Sequence, residues 1–132
     1  MTKFLSIRID TEIRDKFNIF CKENEMTMSK AICILAECFT ESGTLPFELD
    51  DCRRTGVDRK DTRIGVSMPV ELRKRFKDAC EEYDMPMGAI VRSFMANCIA
   101  HDKFPYDVNY WKEQIVRQKR EMKQSTDTDV EE

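Results

Sequence analysis

Six cysteines and one histidine are the side chains best suited to chemistry in this 132-residue chain. Thiolates and imidazoles hold zinc when they come in close pairs, and cysteines in an oxidising compartment staple small folds. Cys21, Cys33, Cys38, Cys52, Cys80 and Cys98 contain no C-x-x-C pair, and the one histidine is His101. Five of the six fall on apolar helical positions, where a free thiol behaves as a small hydrophobe. His101, Tyr83 and Tyr106 belong to no nucleophile–base–acid pattern, and His101 reads as a surface residue. There is no Gly-rich phosphate loop and no H-E-x-x-H. The expectation is a protein that is not an enzyme and that takes neither metal nor cofactor.

The remaining chemistry is charge recognition. Net charge is −3 and the pI is about 5.4, so composition gives no global signal for a polyanion. Local signals exist at Arg53 and Arg54, at Arg59 and Lys60, and at Lys3. Basic runs in a polar stretch serve either solubility or phosphate neutralisation, and both uses stay open here. Arg8 and Arg63 are better defined, because their neighbours fix where they point.

Arg8 lies in Phe4-Leu5-Ser6-Ile7-Arg8-Ile9-Asp10, which alternates strictly. Leu5, Ile7 and Ile9 face one way; Phe4, Ser6 and Arg8 face the other. That is the period of a half-buried strand. Arg63-Ile64-Gly65-Val66-Ser67-Met68 repeats the pattern, with Ile64, Val66 and Met68 apolar and Arg63, Gly65 and Ser67 opposite. A lone short strand leaves its backbone groups unpaired. The two strands are therefore expected to pair with each other.

Helices must position this ribbon. Asp10 or Thr11 can cap a first helix, whose apolar face is Ile13, Phe17, Phe20 and Cys21. It should stop near Asn24-Glu25. Thr27 or Ser29 caps a second helix, apolar most of the way round through Ala31, Ile32, Ile34, Leu35, Ala36, Cys38 and Phe39, and so buried on several sides. Gly43 ends it, and Leu45-Pro46-Phe47 makes an apolar hook. Residues 50–62 are polar and read as a linker. These thirteen residues reach about 43–47 Å when extended, enough to carry the chain back to a second strand.

The chain then repeats itself without a gap, 59 residues on. Glu12, Arg14, Phe17, Cys21, Glu23, Met26, Met28 and Pro46 recur as Glu71, Arg73, Phe76, Cys80, Glu82, Met85, Met87 and Pro105. Leu45 and Phe47 recur as Phe104 and Tyr106. Pro69 suits the first turn of its helix, with Leu72, Phe76, Ala79, Cys80 and Tyr83 inside. Pro86 opens the next helix, with Ile90, Val91, Phe94, Met95, Cys98 and Ile99 inside. A unit this small cannot bury its own core, but two together can.

The organisation read from the chain is a unit at 1–49, a linker at 50–62, a second unit at 63–108, a helix at 109–124 and an acidic, disordered tail at 125–132. Tyr110 and Trp111 lie outside the repeat. They serve either core packing or a partner surface. Because the two-unit core is complete without them, truncation after Val108 is expected to leave a folded protein.

A strand of alternating residues, a helix and a more buried helix resemble the ribbon-helix-helix family, the Arc, MetJ and CopG class. Ile7-Arg8-Ile9-Asp10 followed by Glu12 and Arg14 is similar to that family's strand-to-helix junction. Thr44-Leu45-Pro46-Phe47-Glu48-Leu49 resembles the segment after the second helix in RelB/DinJ-type antitoxins. The resemblance covers about residues 4–49 and 63–108. It implies a mainly α fold with one short two-stranded antiparallel ribbon, built from two ribbon-helix-helix units in one chain as an intramolecular pseudo-dimer. It also implies a ribbon that enters the DNA major groove. Phe4, Ser6, Arg8, Arg63, Gly65 and Ser67 would then read bases. Met28, Ser29 and Lys30, with Met87, Gly88 and Ala89, would hold phosphates at helix N-termini. Lys3, Arg53, Arg54, Arg59 and Lys60 would supply the local basic patch.

In that family's ribbon the middle outward residues face each other, which sets Ser6 opposite Gly65, Arg8 beside Arg63 and Phe4 beside Ser67. The implied function is sequence-specific double-stranded DNA binding by a transcriptional regulator, a repressor acting by occupancy. The alternative is a protein-binding, antitoxin-like module or inhibitor that uses the C-terminal segment around Tyr110 and Trp111. Self-association of two pseudo-dimers stays open. No apolar run approaches 18 residues and no signal-peptide core follows Met1, so no membrane partner and a cytoplasmic location are expected.

Overall fold

Inward-facing Leu5, Ile7 and Ile9 hold β1 (Thr2–Ile9) on the core, at 7%, 2% and 0% exposure. Ile64, Val66 and Met68 do the same for β2 (Thr62–Pro69). Each such side chain contributes about 1.5–3 kcal/mol over leaving it in water. A slip of one residue would turn this whole set outward, so the register is strongly specified. The two strands pair antiparallel within the chain, Ser6 opposite Gly65 and Ile7 opposite Ile64. The computed structural model describes residues 2–47, 62–114, 116 and 117. Among them the protein is mainly helical, with this one two-stranded sheet.

Asp10 begins α1 (Thr11–Glu23) by accepting the Glu12 N–H at 2.7 Å and the Ile13 N–H at 3.4 Å. Of the two candidate caps, Asp10 is the one used, since its extended backbone lets the carboxylate reach two otherwise unpartnered donors. Asp10→Ala is therefore expected to cost about 0.5–2 kcal/mol, read as a lower urea midpoint with an unchanged m-value; no shift would assign the helix start to packing alone. Thr27 caps α2 (Met28–Ser42), its hydroxyl accepting the Lys30 N–H at 3.1 Å. Gly43, at φ 75°, closes that helix in the left-handed region that suits glycine.

The second half follows with α3 (Val70–Glu82) and α4 (Met87–His101). Pro69 is not in the first turn of α3. It stands at the N-cap with φ −56° and ψ 141°, still paired with Thr2 across the ribbon. Proline's fixed φ suits extended backbone as well as helix, so its place is set by where the strand ends. The turns repeat as closely as the helices. Glu25 and Asp84 have φ 54° and 60°, and Asp102 at φ 53° occupies the position of Gly43.

The halves interlock. α1 lies against α4 and α2 against α3, more extensively than the helices within either half meet. α2 also packs on β2 and α4 on β1. The shared core holds Phe17, Ile32, Leu35, Phe39, Phe76, Ile90, Phe94 and Met95, all at 0–1% exposure. Tyr83 departs from its expected place inside. It ends α3 at 41% exposure, with its ring edge-on to Phe39 at 5.7 Å. The second hook is drawn in: Phe104 is buried against Phe20 at 4.8 Å, and the Tyr106 hydroxyl donates to Ala31 O at 2.8 Å. Burial pushes the Tyr106 phenol well above its ordinary range. No helix among the described residues is long and apolar enough to cross a membrane.

Asp107 accepts the Tyr110 N–H at 3.2 Å and starts α5, helical at residues 108–114 and at 116 and 117. Trp111 overturns the expectation of a core complete without this segment. It is 8% exposed and belongs to the hydrophobic core. Adjacent residues on a helix point about 100° apart, so Tyr110 stays outside at 48% exposure. As a partner-binding candidate only Tyr110 remains available.

Candidate functional site

The outward face of the ribbon carries Ser6 with Gly65 and Arg8 with Arg63, and Ser67 stands opposite the Phe4 backbone in the same register. Ser6, Arg8, Arg63 and Gly65 are exposed and Ser67 is half-buried. The Ser67 N–H donates to Ser29 Oγ at 3.2 Å, away from β1. Outward pairs are thus the pairs that exchange no backbone hydrogen bonds, which in antiparallel sheets bring Cα atoms to about 4.5 Å. Arg8 and Arg63 are therefore held side by side. Like charges directly opposite cost a few tenths to about 1 kcal/mol. No carboxylate among the described residues pairs with either one.

Both edges of a two-stranded ribbon expose unpaired backbone groups. Here the second helix of each half covers the strand of the other. On the β2 edge, Ser29 Oγ takes the Ser67 N–H and Cys33 Sγ donates to Ser67 O at 3.3 Å. On the β1 edge, Arg92 Nη1 donates to Arg8 O at 3.2 Å. Cys33 and Arg92 occupy the same position of the 59-residue repeat, as do Ser29 and Gly88. Neither Cys33 nor Arg92 stands out as a candidate from residue type alone. The repeat map, read at the second turn of each second helix, would have found them.

The two helix N-termini flank this face on different terms. At α2, Met28 and Ser29 are half-buried and Lys30 is exposed. At α4, Met87, Gly88 and Ala89 are half-buried, and Pro86 makes no side-chain cap. Unsatisfied N–H groups and the positive dipole end attract anions at such termini. Arg14 Nη1 donates to Thr62 Oγ1 at 2.9 Å beyond the Arg8 end. Its repeat mate Arg73 has a buried Nε without a partner among the described residues. The position matching Thr62 is Lys3, which carries no acceptor.

Lys3 and Phe4 enter the ribbon through their backbones, opposite Met68 and Ser67. Arg53, Arg54, Arg59 and Lys60 lie outside the described residues, as do Cys52 and the acidic tail. The five described cysteines are free thiols. Burial pushes Cys21 and Cys80 up to about 12 and raises Cys98 as well, so these three act as core atoms and not as nucleophiles. Compared with protein-family models, curated proteins and solved structures, the chain matches none.

Proposed function

We propose that this chain binds double-stranded DNA sequence-specifically as a transcriptional regulator, a repressor acting by occupancy. In this reading it is a tandem ribbon-helix-helix protein whose two units form an intramolecular pseudo-dimer. One observation carries the proposal: Arg8 and Arg63 stand directly opposite on an exposed two-stranded ribbon, with no carboxylate partner among the described residues. A pair kept against its own repulsion suits an acceptor-rich ligand between the two guanidiniums. A ribbon of this width fits the major groove, where guanine offers O6 and N7 to an arginine fork.

The two ends of the ribbon differ, so the preferred site should carry guanine at one end and not the other. Selection of bound sequences from random duplex DNA tests this, followed by a salt titration. On the selected site, Arg8→Ala and Arg63→Ala should each cost about 1–3 kcal/mol and relax preference at that end. Ser67→Ala should cost little. Salt-independent binding, or losses unconnected with base identity, would remove the DNA assignment.

The second reading is a protein-binding module of antitoxin type. It draws on Tyr110 and Val116, exposed at 48% and 46% on α5. Burial of Trp111 weakens it, because the larger aromatic of the segment faces inward.

A further inference from the structure

Arg92 sits where its repeat mate is a cysteine. Its Nη1 donates to Arg8 O at 3.2 Å, and it has no carboxylate partner among the described residues. It lies over Gly88: a Cβ added there would meet Arg92 Nη1 at 3.0 Å and Cζ at 3.8 Å. Gly88 is the second residue of α4, and nothing in the α4 backbone requires a positive φ there. The space that Gly88 leaves is the space the guanidinium occupies. In the first half the same two positions hold Ser29 and Cys33, small and uncharged, and they bind both backbone groups of Ser67.

The consequence is three guanidiniums at one end of the reading face, those of Arg8, Arg63 and Arg92. The other end holds a serine and a cysteine latch. We propose that Arg92 is a positioning and phosphate-contacting residue that gives the bound complex one orientation on DNA, an inference that rests on the DNA-binding reading above. One guanidinium N–H latches β1 at Arg8. Guanidinium has five N–H donors, so others remain to meet a backbone phosphate flanking the Arg8/Arg63 end. The matching position of the other half is the uncharged Cys33, and the cation at that flank is Lys30, exposed at the start of α2 and matched by Ala89 in the second half.

The test uses the full chain and the selected duplex, with single methylphosphonates introduced in turn on both flanks of the site. For the wild type, neutralising one phosphate beyond the Arg8/Arg63 end should weaken binding about tenfold, the scale of a charge-assisted contact. Arg92→Gln keeps a donor for Arg8 O but loses the charge. It should bind the unmodified duplex about tenfold more weakly, with a salt slope shallower by about 0.9, and show no further loss at that phosphate. Gly88→Ala keeps the charge but pushes the guanidinium aside. It should blunt the same position while leaving the thermal midpoint unchanged or raised. Cys33→Ala should leave that phosphate's effect intact. If the wild type binds but Arg92→Gln gives a superimposable scan, or loses both flanks equally, this proposal is overturned while the DNA reading stands. If the wild type binds no duplex in a salt-dependent way, the DNA reading fails and this proposal with it.

Discussion

Phe94→Ala should lower the free energy of unfolding by about 3–5 kcal/mol, the usual range for removing a buried aromatic ring. Phe94 is fully buried on α4 and meets four other rings. Phe17 of α1 stands edge-on at 5.8 Å; Phe47 of the first hook lies at 6.2 Å; Phe104 and Tyr106 of the second lie at 6.5 and 5.9 Å. One side chain thus ties together both hooks and the α1–α4 contact. Domains of this size are stable by about 5–15 kcal/mol in total, so the variant should be marginal at 37 °C. Urea unfolding gives the number. Ile19→Ala, at a site 57% exposed, should stay within about 0.5 kcal/mol of the parent. A loss below about 1 kcal/mol at Phe94 would mean that the two hooks do not meet there in solution.

Trp111→Ala should also be severe, toward the lower end of the same ~3–5 kcal/mol range because the residue lies at the rim of the core. Tyr110→Ala, one residue away and half-exposed, should be nearly neutral. Truncation after Val108 should reproduce the Trp111 loss. The contrast between neighbours is the diagnostic. A segment that merely rests on the surface would give two small effects, and a partner surface would give none in the isolated protein. Matching unfolding curves for the parent and the truncation would put Trp111 outside the core.

The strands and their register were legible because alternation and repeat point to the same pairing. Ser6 opposite Gly65 follows from the resemblance to a paired ribbon, and the caps at Asp10, Thr27 and Gly43 follow from local chemistry. Trp111 was not legible. Its burial depends on where α5 crosses the other helices, and the repeat holds no second copy of it to compare. Tyr83 failed for a related reason: periodicity put it on the inner face, but the helix ends there and the ring turns along Phe39. Pro69 shows a limit of another kind, since its φ is shared by strand ends and first turns. Arg92 was hidden because a charged residue on a buried helix reads as a solvated edge. Only the opposite strand's carbonyl gives it a role.

The ribbon joins two strands of the same chain, and this changes how its outward face responds to dilution. When two separate chains supply the strands, mass action splits the ribbon as protein becomes scarce, and stability cannot be separated from concentration. Here the second strand arrives with the first, at an effective concentration fixed by the connecting segment. Under the proposed DNA-binding reading, occupancy of a site should therefore rise with the first power of protein concentration, with no dimerisation threshold. A single molecule carries a complete face. Each half can also change by one substitution without altering its counterpart, which identical chains cannot do. Ser29 against Gly88, and Cys33 against Arg92, are differences that only such a tether permits.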